Sequence, residues 1–166
     1  MNAFWANGYE STSISQLTEA MGIAPPSLYA AFGDKRALFD EAATCYCDRL
    51  GAQMNGALAA PRVRDAIEGV LRNAVDFHST PTHPLGCFAM SEPLLSDQRA
   101  ELRQSIGARI ARGVEEAELP QATDVDGLAE FVMIVLAGMS ERTRDGATSA
   151  QLETAITQAM ASWPAS

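Results

Sequence analysis

Glycines and prolines divide the beginning of the chain into short helical segments, and this division constrains the fold more than any other feature. Gly8 and Gly22 each follow a segment with helical character, and glycine is favoured just past a helix C-terminus. Ser13 precedes the second segment, and Gln16 stands three residues later, in the spacing of a capping box. Pro25 begins a third segment, where the first turn of a helix tolerates proline. The pattern predicts two short helices joined by a tight turn and followed by a long helix.

Helical periodicity continues through the rest of the 166-residue chain. Alanine is abundant and β-branched residues rarely form runs, which favours helix. Asp34 is expected to cap a long fourth helix, and Asp97 a seventh. The sequence predicts an all-α fold of about nine helices. We divide it into a helix-turn-helix unit over residues 1–46 and a larger helical domain over residues 47–166.

Two short helices joined by a tight turn have a known use in nucleic-acid recognition. In a helix-turn-helix the second helix enters the major groove and the first braces it across the backbone. Here the bracing helix would be Ser13–Met21 and the reading helix Pro25–Phe32. By spacing alone, an ordinary helical hairpin inside a bundle is an equal alternative.

The residues of this unit decide between the two interpretations. They run in order and without insertion as Phe4, Gly8-Tyr9, Thr12-Ser13, Ile14, Leu17, Gly22-Ile23, Ser27-Leu28-Tyr29, Phe32, Lys35 and Leu38-Phe39. This string resembles the N-terminal DNA-binding domain of the TetR/AcrR family of regulators. The resemblance implies a transcriptional regulator with a C-terminal domain that binds a small-molecule effector and forms a homodimer.

The resemblance and the helix positions together indicate a set of DNA contacts. Thr12 and Ser13 stand at a helix N-terminus, where free amides and the helix dipole favour a phosphate. Lys35 is the only lysine of the chain, and the resemblance makes it a phosphate contact. A plain helix cap at Ser13 and a solvated Lys35 are the alternatives. The complete predicted set is Thr12, Ser13, Ala24, Ser27, Tyr29 and Lys35.

Charge argues against DNA binding. The net charge is −9, and residues 1–50 hold six acidic and three basic side chains, although phosphate contacts require cations. Family members usually have a complete first helix preceded by basic residues, whereas this chain begins in the middle of that helix. We therefore expect the missing positive charge to lie in such a lead-in, or DNA binding to be weak. A helical interaction protein that never touches DNA is the alternative.

The last two helices are predicted to form the dimer. Residues 131–139 are apolar on all sides, so this helix requires burial on every face. The resemblance places the last two helices in a four-helix bundle between two subunits, and packing inside one subunit is the alternative. The predicted interface residues are Ile134, Gly138, Met139, Leu152, Ile156, Ala159 and Trp163.

A regulator that senses a ligand needs a cavity among its helices. We predict a site for a small, mainly apolar molecule between the fifth, sixth and eighth helices. Cys87 follows a Pro-Leu-Gly turn near a helix start, a setting that can lower a thiol pKa. A redox or electrophile sensor at Cys87 is therefore an alternative to a buried, inert cysteine, and His78 is alternatively an ordinary core residue. The predicted walls are Phe77, His78, Cys87, Phe88, Met90, Phe131 and Val135.

Several other classes of protein lack their sequence signals here. No segment approaches the roughly 20 apolar residues of a membrane span, and the start lacks the layout of a secretory signal. Three cysteines without framework spacing indicate reduced thiols and a cytoplasmic protein. Enzyme motifs and metal-ligand pairs are missing, so we expect no catalysis, cofactor or metal. The expected function is a homodimeric repressor, released by its effector from a near-palindromic operator in double-stranded DNA.

Overall fold

The structure, a computed structural model, describes residues 1–78 and 83–164, without the side chain of His78. Within those ranges it contains no strand and nine α-helices, as the sequence predicts. No helix there is long and apolar enough to cross a membrane. A 3-10 turn covers Pro93–Leu95. The helices are α1 (Asn2–Asn7), α2 (Ile14–Met21), α3 (Pro25–Phe32), α4 (Lys35–Leu58), α5 (Val63–His78), α6 (Phe88–Ser91), α7 (Ser96–Glu115), α8 (Val125–Arg144) and α9 (Ser149–Ala161).

Side-chain caps begin several of these helices. Ser13 accepts a hydrogen bond from the amide of Gln16, and the Gln16 side chain accepts one from the amide of Ser13. Asp34 caps α4 and Asp124 caps α8 in the same way, each accepting from the amide three residues later. These bonds satisfy amides that the helix itself leaves without partners. The predicted starts of α2 and α4 are confirmed.

The start of α7 differs from the prediction. Asp97 is not the N-cap, because residues Pro93–Leu95 already coil as a 3-10 turn and α7 begins at Ser96. Leu95 takes the N-cap position and provides no side-chain bond. Asp97 lies instead in the first turn of α7, where a negative charge interacts favourably with the helix dipole.

Helix α5 is the central helix of the C-terminal part of the protein. It contacts α4, α7, α8 and α9. One stripe of α5 is buried over its whole length and forms the middle of the main hydrophobic core. Burying each of its larger side chains contributes about 1.5–3 kcal/mol to folding. The stripe consists of Val63, Ala66, Ile67, Val70, Leu71 and Ala74.

A second core is largely aromatic and lies between α1–α3, the first half of α4, the end of α5 and α6. Some of its rings meet edge to face, as in the pair Trp5 and Tyr46, whose centroids are 5.2 Å apart, and others stack, as in the pair Trp5 and Phe77. Phe77 and Phe88 belong to the same core. Because this core includes side chains from both sides of residue 46, the division at that residue stays a prediction.

Helices α5 and α7 approach closely at Gly113. A Cβ atom at Gly113 would lie 2.9 Å from Cβ and Cγ1 of Val63. We expect Gly113→Ala to lower the free energy of unfolding by about 1–3 kcal/mol, the usual cost of overpacking. Gly107→Ala in the same helix is the control, since its Cβ would lie 3.8 Å from Cβ of Ala129, an ordinary contact. Urea unfolding should show the control unchanged or stabilised by up to about 1 kcal/mol. Equal stabilities would contradict the close approach.

Candidate DNA-binding unit and cavity

Helix α3 presents most of its surface to solvent. Leu28 is 0% exposed and anchors the helix in the aromatic core. Ala24, Ser27 and Tyr29 are exposed, with 48% of Tyr29 accessible. Pro25 stands in the first turn, where a missing amide proton costs no helical bond. The result is an exposed helix held by Leu28 and the half-buried Phe32, as a reading helix requires.

The N-terminus of α2 offers one exposed hydroxyl rather than the two predicted. Ser13 is exposed and caps the helix. Thr12 is only 1% exposed, and its hydroxyl donates to the carbonyl oxygen of Gly8 over 2.6 Å. Because that hydroxyl closes the turn after α1, Thr12 is a structural residue in this structure. This corrects its prediction as a DNA contact.

Lys35 lies against the turn between α1 and α2. Its Nζ is 4.3 Å from the centroid of the Tyr9 ring and 3.4 Å from the carbonyl oxygen of Glu10. The Tyr9 ring in turn packs on the rings of Phe4 and Phe39, at centroid distances of 6.1 and 5.0 Å. Neither partner of Lys35 is a carboxylate, so neither neutralises its charge.

Three of the predicted effector-site residues line a cavity too small for an effector. Phe77, Cys87 and Met90 surround an apolar space of about 20 Å³. A space of that size holds roughly one water-sized group.

The other predicted walls lie elsewhere. Phe88 is part of the aromatic core. Phe131 is 37% exposed on the outside of α8, and Val135 lines a shallow groove between α8 and α9. The side chain of His78 lies outside the described residues. Of the seven predicted wall residues, the structure therefore brings only Phe77, Cys87 and Met90 together around one cavity.

A larger cavity of about 180 Å³ lies between α4, α6 and α7. It shares the apolar residues Leu50, Met54, Met90 and Leu102 with the small cavity beside it. A protein cavity of about 150 Å³ is known to hold benzene, so this one has room for a small ring system. Its remaining walls are Cys47, Gly51, Asn55, Ala89, Gln98, Arg99, Glu101 and Ser105.

Two residues of this cavity are of interest for an occupant, Gln98 for its buried acceptor and Gly51 for the open space beside it. Oε1 of Gln98 is buried, and none of the residues that the structure describes donates a hydrogen bond to it. A buried acceptor without a donor costs about 1–3 kcal/mol, so a hydroxyl or N–H group on an occupant that reached this atom would be favoured. At Gly51, no atom lies within 4 Å of the position that a Cβ would take.

The thiols beside the two cavities are held in the protonated form. Cys87 is 3% exposed, and its Sγ lies 3.0 Å from Oη of Tyr46. Burial raises the pKa of Cys87, which favours the buried, inert cysteine over the redox or electrophile sensor. Burial and the nearby Cys87 raise the pKa of Cys47 to about 11. Since the thiolate is the reactive form, neither thiol is primed to react at neutral pH.

The outer face of α8 remains open, whereas most of the predicted interface does not. Ile134 is 62% exposed, and Gly138 is exposed with no atom within 4 Å of its Cβ position. The other five residues lie inside the main core of the chain itself, because the apolar stripe of α9 packs on α5. Their assignment to the dimer interface is therefore corrected for Met139, Leu152, Ile156, Ala159 and Trp163.

Glu92 is a buried acidic residue that the sequence does not reveal. This residue is 3% exposed, and its Oε2 accepts a hydrogen bond from the amide of Tyr9 over 2.8 Å. Its Oε1 accepts one from the amide of Leu94 over 3.2 Å. An acidic residue beside a proline is typical of an exposed turn, and no periodicity marks this one as buried.

The residues of α4 that line the cavity were also not predicted, although their spacing in the sequence indicates a shared helix face. Cys47, Leu50 and Met54 recur at intervals of three and four residues, which places them on one face of the helix.

Known proteins resemble this chain in sequence and in fold. Residues 1–42 match the family model described as bacterial regulatory proteins, tetR family. ComR, a helix-turn-helix transcriptional repressor of Escherichia coli, is 31% identical over 99% of this chain and 85% of its own length. BdcR, a second such repressor of Escherichia coli, is 27% identical over 90% of this chain and 77% of its own length.

A solved structure agrees with these relatives. A cysteine-substituted form of the TetR family regulator CifR, complexed with a 26-base-pair operator duplex, superimposes with a TM-score of 0.93. It is 35% identical, and the superposition covers 98% of this chain and 92% of the CifR chain. An exposed reading helix, a braced helix-turn-helix and a helical domain with a cavity are thus found together with this sequence. The chain belongs to the TetR family of DNA-binding transcriptional regulators.

Proposed function

We propose that the protein is a cytoplasmic, homodimeric repressor without enzymatic activity, which leaves its operator when a small molecule fills the cavity between α4, α6 and α7. One observation carries this proposal. Helix α4 begins at Lys35 and also forms the cavity wall from Cys47 to Asn55. A displacement of α4 by an occupant therefore reaches Lys35. The names of ComR and BdcR as repressors, and the complex of CifR with operator DNA, support the proposal.

The DNA side of the proposal uses the exposed residues of α2 and α3. In a symmetric dimer two reading helices roughly 35 Å apart match successive major grooves, so the operator should be near-palindromic. Ser27 and Tyr29 lie on the exposed side of α3, and Ala24 and Ser13 are the exposed N-cap residues of α3 and α2. Lys35 would contact a phosphate.

The effector side follows from the chemistry of the cavity. Its apolar residues favour a small ring system, and the free acceptor of Gln98 favours a ligand with one hydrogen-bond donor. An effector that lowers operator affinity must itself bind less tightly to the operator complex, by the same factor. Sensing through Cys87 has less support, because burial raises the pKa of its thiol.

Removing the Lys35 charge tests the DNA contact. We expect Lys35→Met to weaken binding of all duplexes alike and to reduce the slope of log affinity against log salt by about one. Arg49→Met is the control, since it removes the same charge from an exposed position on α4, roughly 21 Å further along the helix. Fluorescence anisotropy at several salt concentrations measures both variants. A slope that is unchanged in Lys35→Met would argue against the phosphate contact.

Indole and indene form a matched pair of probes for the cavity, because they have the same shape and only indole carries an N–H donor. We expect both to bind, and indole to bind about 2- to 10-fold more tightly, as one neutral hydrogen bond allows. Gly51→Leu should abolish binding by filling the cavity. Gly56→Leu is the control, a glycine of the same helix that also has no atom within 4 Å of its Cβ position. Calorimetry measures the affinities.

The same probes test release from DNA. A near-palindromic duplex selected by the protein from random sequence is titrated with and without saturating indole. Indole should lower the operator affinity of the wild type and of Gly56→Leu, but not that of Gly51→Leu. Indole binding that survives in Gly51→Leu would show that the site is elsewhere.

Introducing a charge on the outer face of α8 tests whether this face forms the dimer interface. Ile134→Glu should convert the dimer to a monomer, because a carboxylate buried between two subunits without a partner is strongly unfavourable. Ala52→Glu introduces the same charge at an exposed position on α4 and should leave the dimer intact. Sedimentation equilibrium at micromolar concentration distinguishes the two states. A dimeric Ile134→Glu protein would exclude this face as the interface.

A further inference from the structure

Glu92 connects two parts of the protein that are far apart in the sequence. It is 3% exposed and lies between α6 and the 3-10 turn. Its two carboxylate oxygens accept from the backbone amides of Tyr9 and Leu94, at 2.8 and 3.2 Å. Burying a carboxylate is costly unless hydrogen bonds compensate, and these two amides supply the compensation. The segment after α6 is therefore fastened to the turn that precedes α2.

On the DNA-binding side, the residue that Glu92 holds also supports Lys35. The Tyr9 ring lies under the Lys35 ammonium, 4.3 Å from ring centroid to Nζ. The carbonyl oxygen of Glu10, the next residue, accepts from the same ammonium over 3.4 Å. A shift of the Tyr9 backbone thus removes both supports of Lys35 together.

On the cavity side, Arg99 holds the segment that carries Glu92. Its Nη1 donates to the carbonyl oxygens of Ala89 and Glu92, at 2.7 and 2.8 Å. Arg99 and Ala89 also line the larger cavity. An occupant that displaces the Arg99 side chain therefore removes two hydrogen bonds from the backbone beside Glu92.

We propose that Glu92 is the positioning residue that links the cavity to the DNA-binding unit, by holding Tyr9 and, through it, Lys35. The inference rests on the proposed function for its two ends, the phosphate contact at Lys35 and the effector cavity. The contacts form one continuous path, from Arg99 through the carbonyl and carboxylate of Glu92 to the amide and ring of Tyr9. This path does not run along α4, so a change in the cavity can be transmitted to Lys35 by two routes.

A double-mutant cycle on operator affinity tests the link between Glu92 and Lys35. Glu92→Gln keeps the size of the side chain but leaves one acceptor for two amides. It should lower operator affinity about 5- to 10-fold, within the usual range for coupled neighbours. In a Lys35→Met background the same change should cost less than about 2-fold, because the positioned group is gone.

The direction of the effect separates geometry from charge. Removing a negative charge strengthens the attraction of a protein to DNA, so a charge effect of Glu92→Gln would raise affinity. Asp97→Asn is the matched control, since it removes the same charge from an exposed site in the first turn of α7. It should leave operator affinity unchanged or slightly higher.

A second variant tests the cavity side of the path. It also keeps the proposal testable if Glu92→Gln does not fold, which circular dichroism and thermal unfolding would show. Arg99→Met removes the bonds to Ala89 and Glu92 and should give the same loss of operator affinity, again absent in the Lys35→Met background. Wild-type affinity in a folded Glu92→Gln protein, or equal losses in the two backgrounds for either variant, would overturn the proposal. The cycle requires no effector, so failure of indole to release the operator would count against the proposed function alone.

Discussion

Helix α4 belongs to both hydrophobic cores, and the relation between the two halves of the protein depends on this. Its first half contributes Phe39 and Tyr46 to the aromatic core, and further along Met54 enters the main core. With 24 residues it is roughly 36 Å long. A flexible linker between the halves would absorb a displacement at one end. A helix packed at both ends carries that displacement to the other end.

Polar groups inside the protein fix angles that apolar packing leaves free. Hydrophobic contact is non-directional, whereas a hydrogen bond requires a defined geometry. Glu92 bonds the amide of Tyr9, and Arg109, only 5% exposed, donates to the carbonyl oxygens of Ala60 and Pro61. Each joins elements that are distant in sequence. The apolar cores thus supply most of the stability, and these few polar contacts set how the helices meet.

The sequence predicts the helices well because their signals are local. A cap such as Ser13 and a glycine such as Gly22 act on their own neighbours, so their effect is visible without the fold. Asp97 failed as a cap because Pro93 starts a 3-10 turn, and the N-cap moves from Asp97 to Leu95, two residues earlier. Here too the reason is local, but two local signals competed.

Contacts between residues that are distant in the sequence could not be predicted in the same way. The apolar stripe of α9 that contains Ile156 requires burial. The spacing of its residues does not say whether the stripe packs on α5 or on a second subunit. The cavity depends on residues as far apart as Gly51 and Gln98, and its free acceptor at Gln98 is visible only after every nearby donor has been placed. The helix-turn-helix unit was the exception, because the resemblance of the string from Phe4 to Phe39 to a family supplied its spatial arrangement.

The raised pKa of Cys47 has a consequence for how long a signal lasts. With a pKa of about 11, only about one thiol in ten thousand is ionised at neutral pH. A molecule in the cavity therefore lies beside a sulfur that is almost entirely in the less reactive thiol form. Under the proposed function, the complex stays non-covalent, and the occupant leaves when its concentration in the cell falls. The protein would then return to its operator without new synthesis or a repair enzyme.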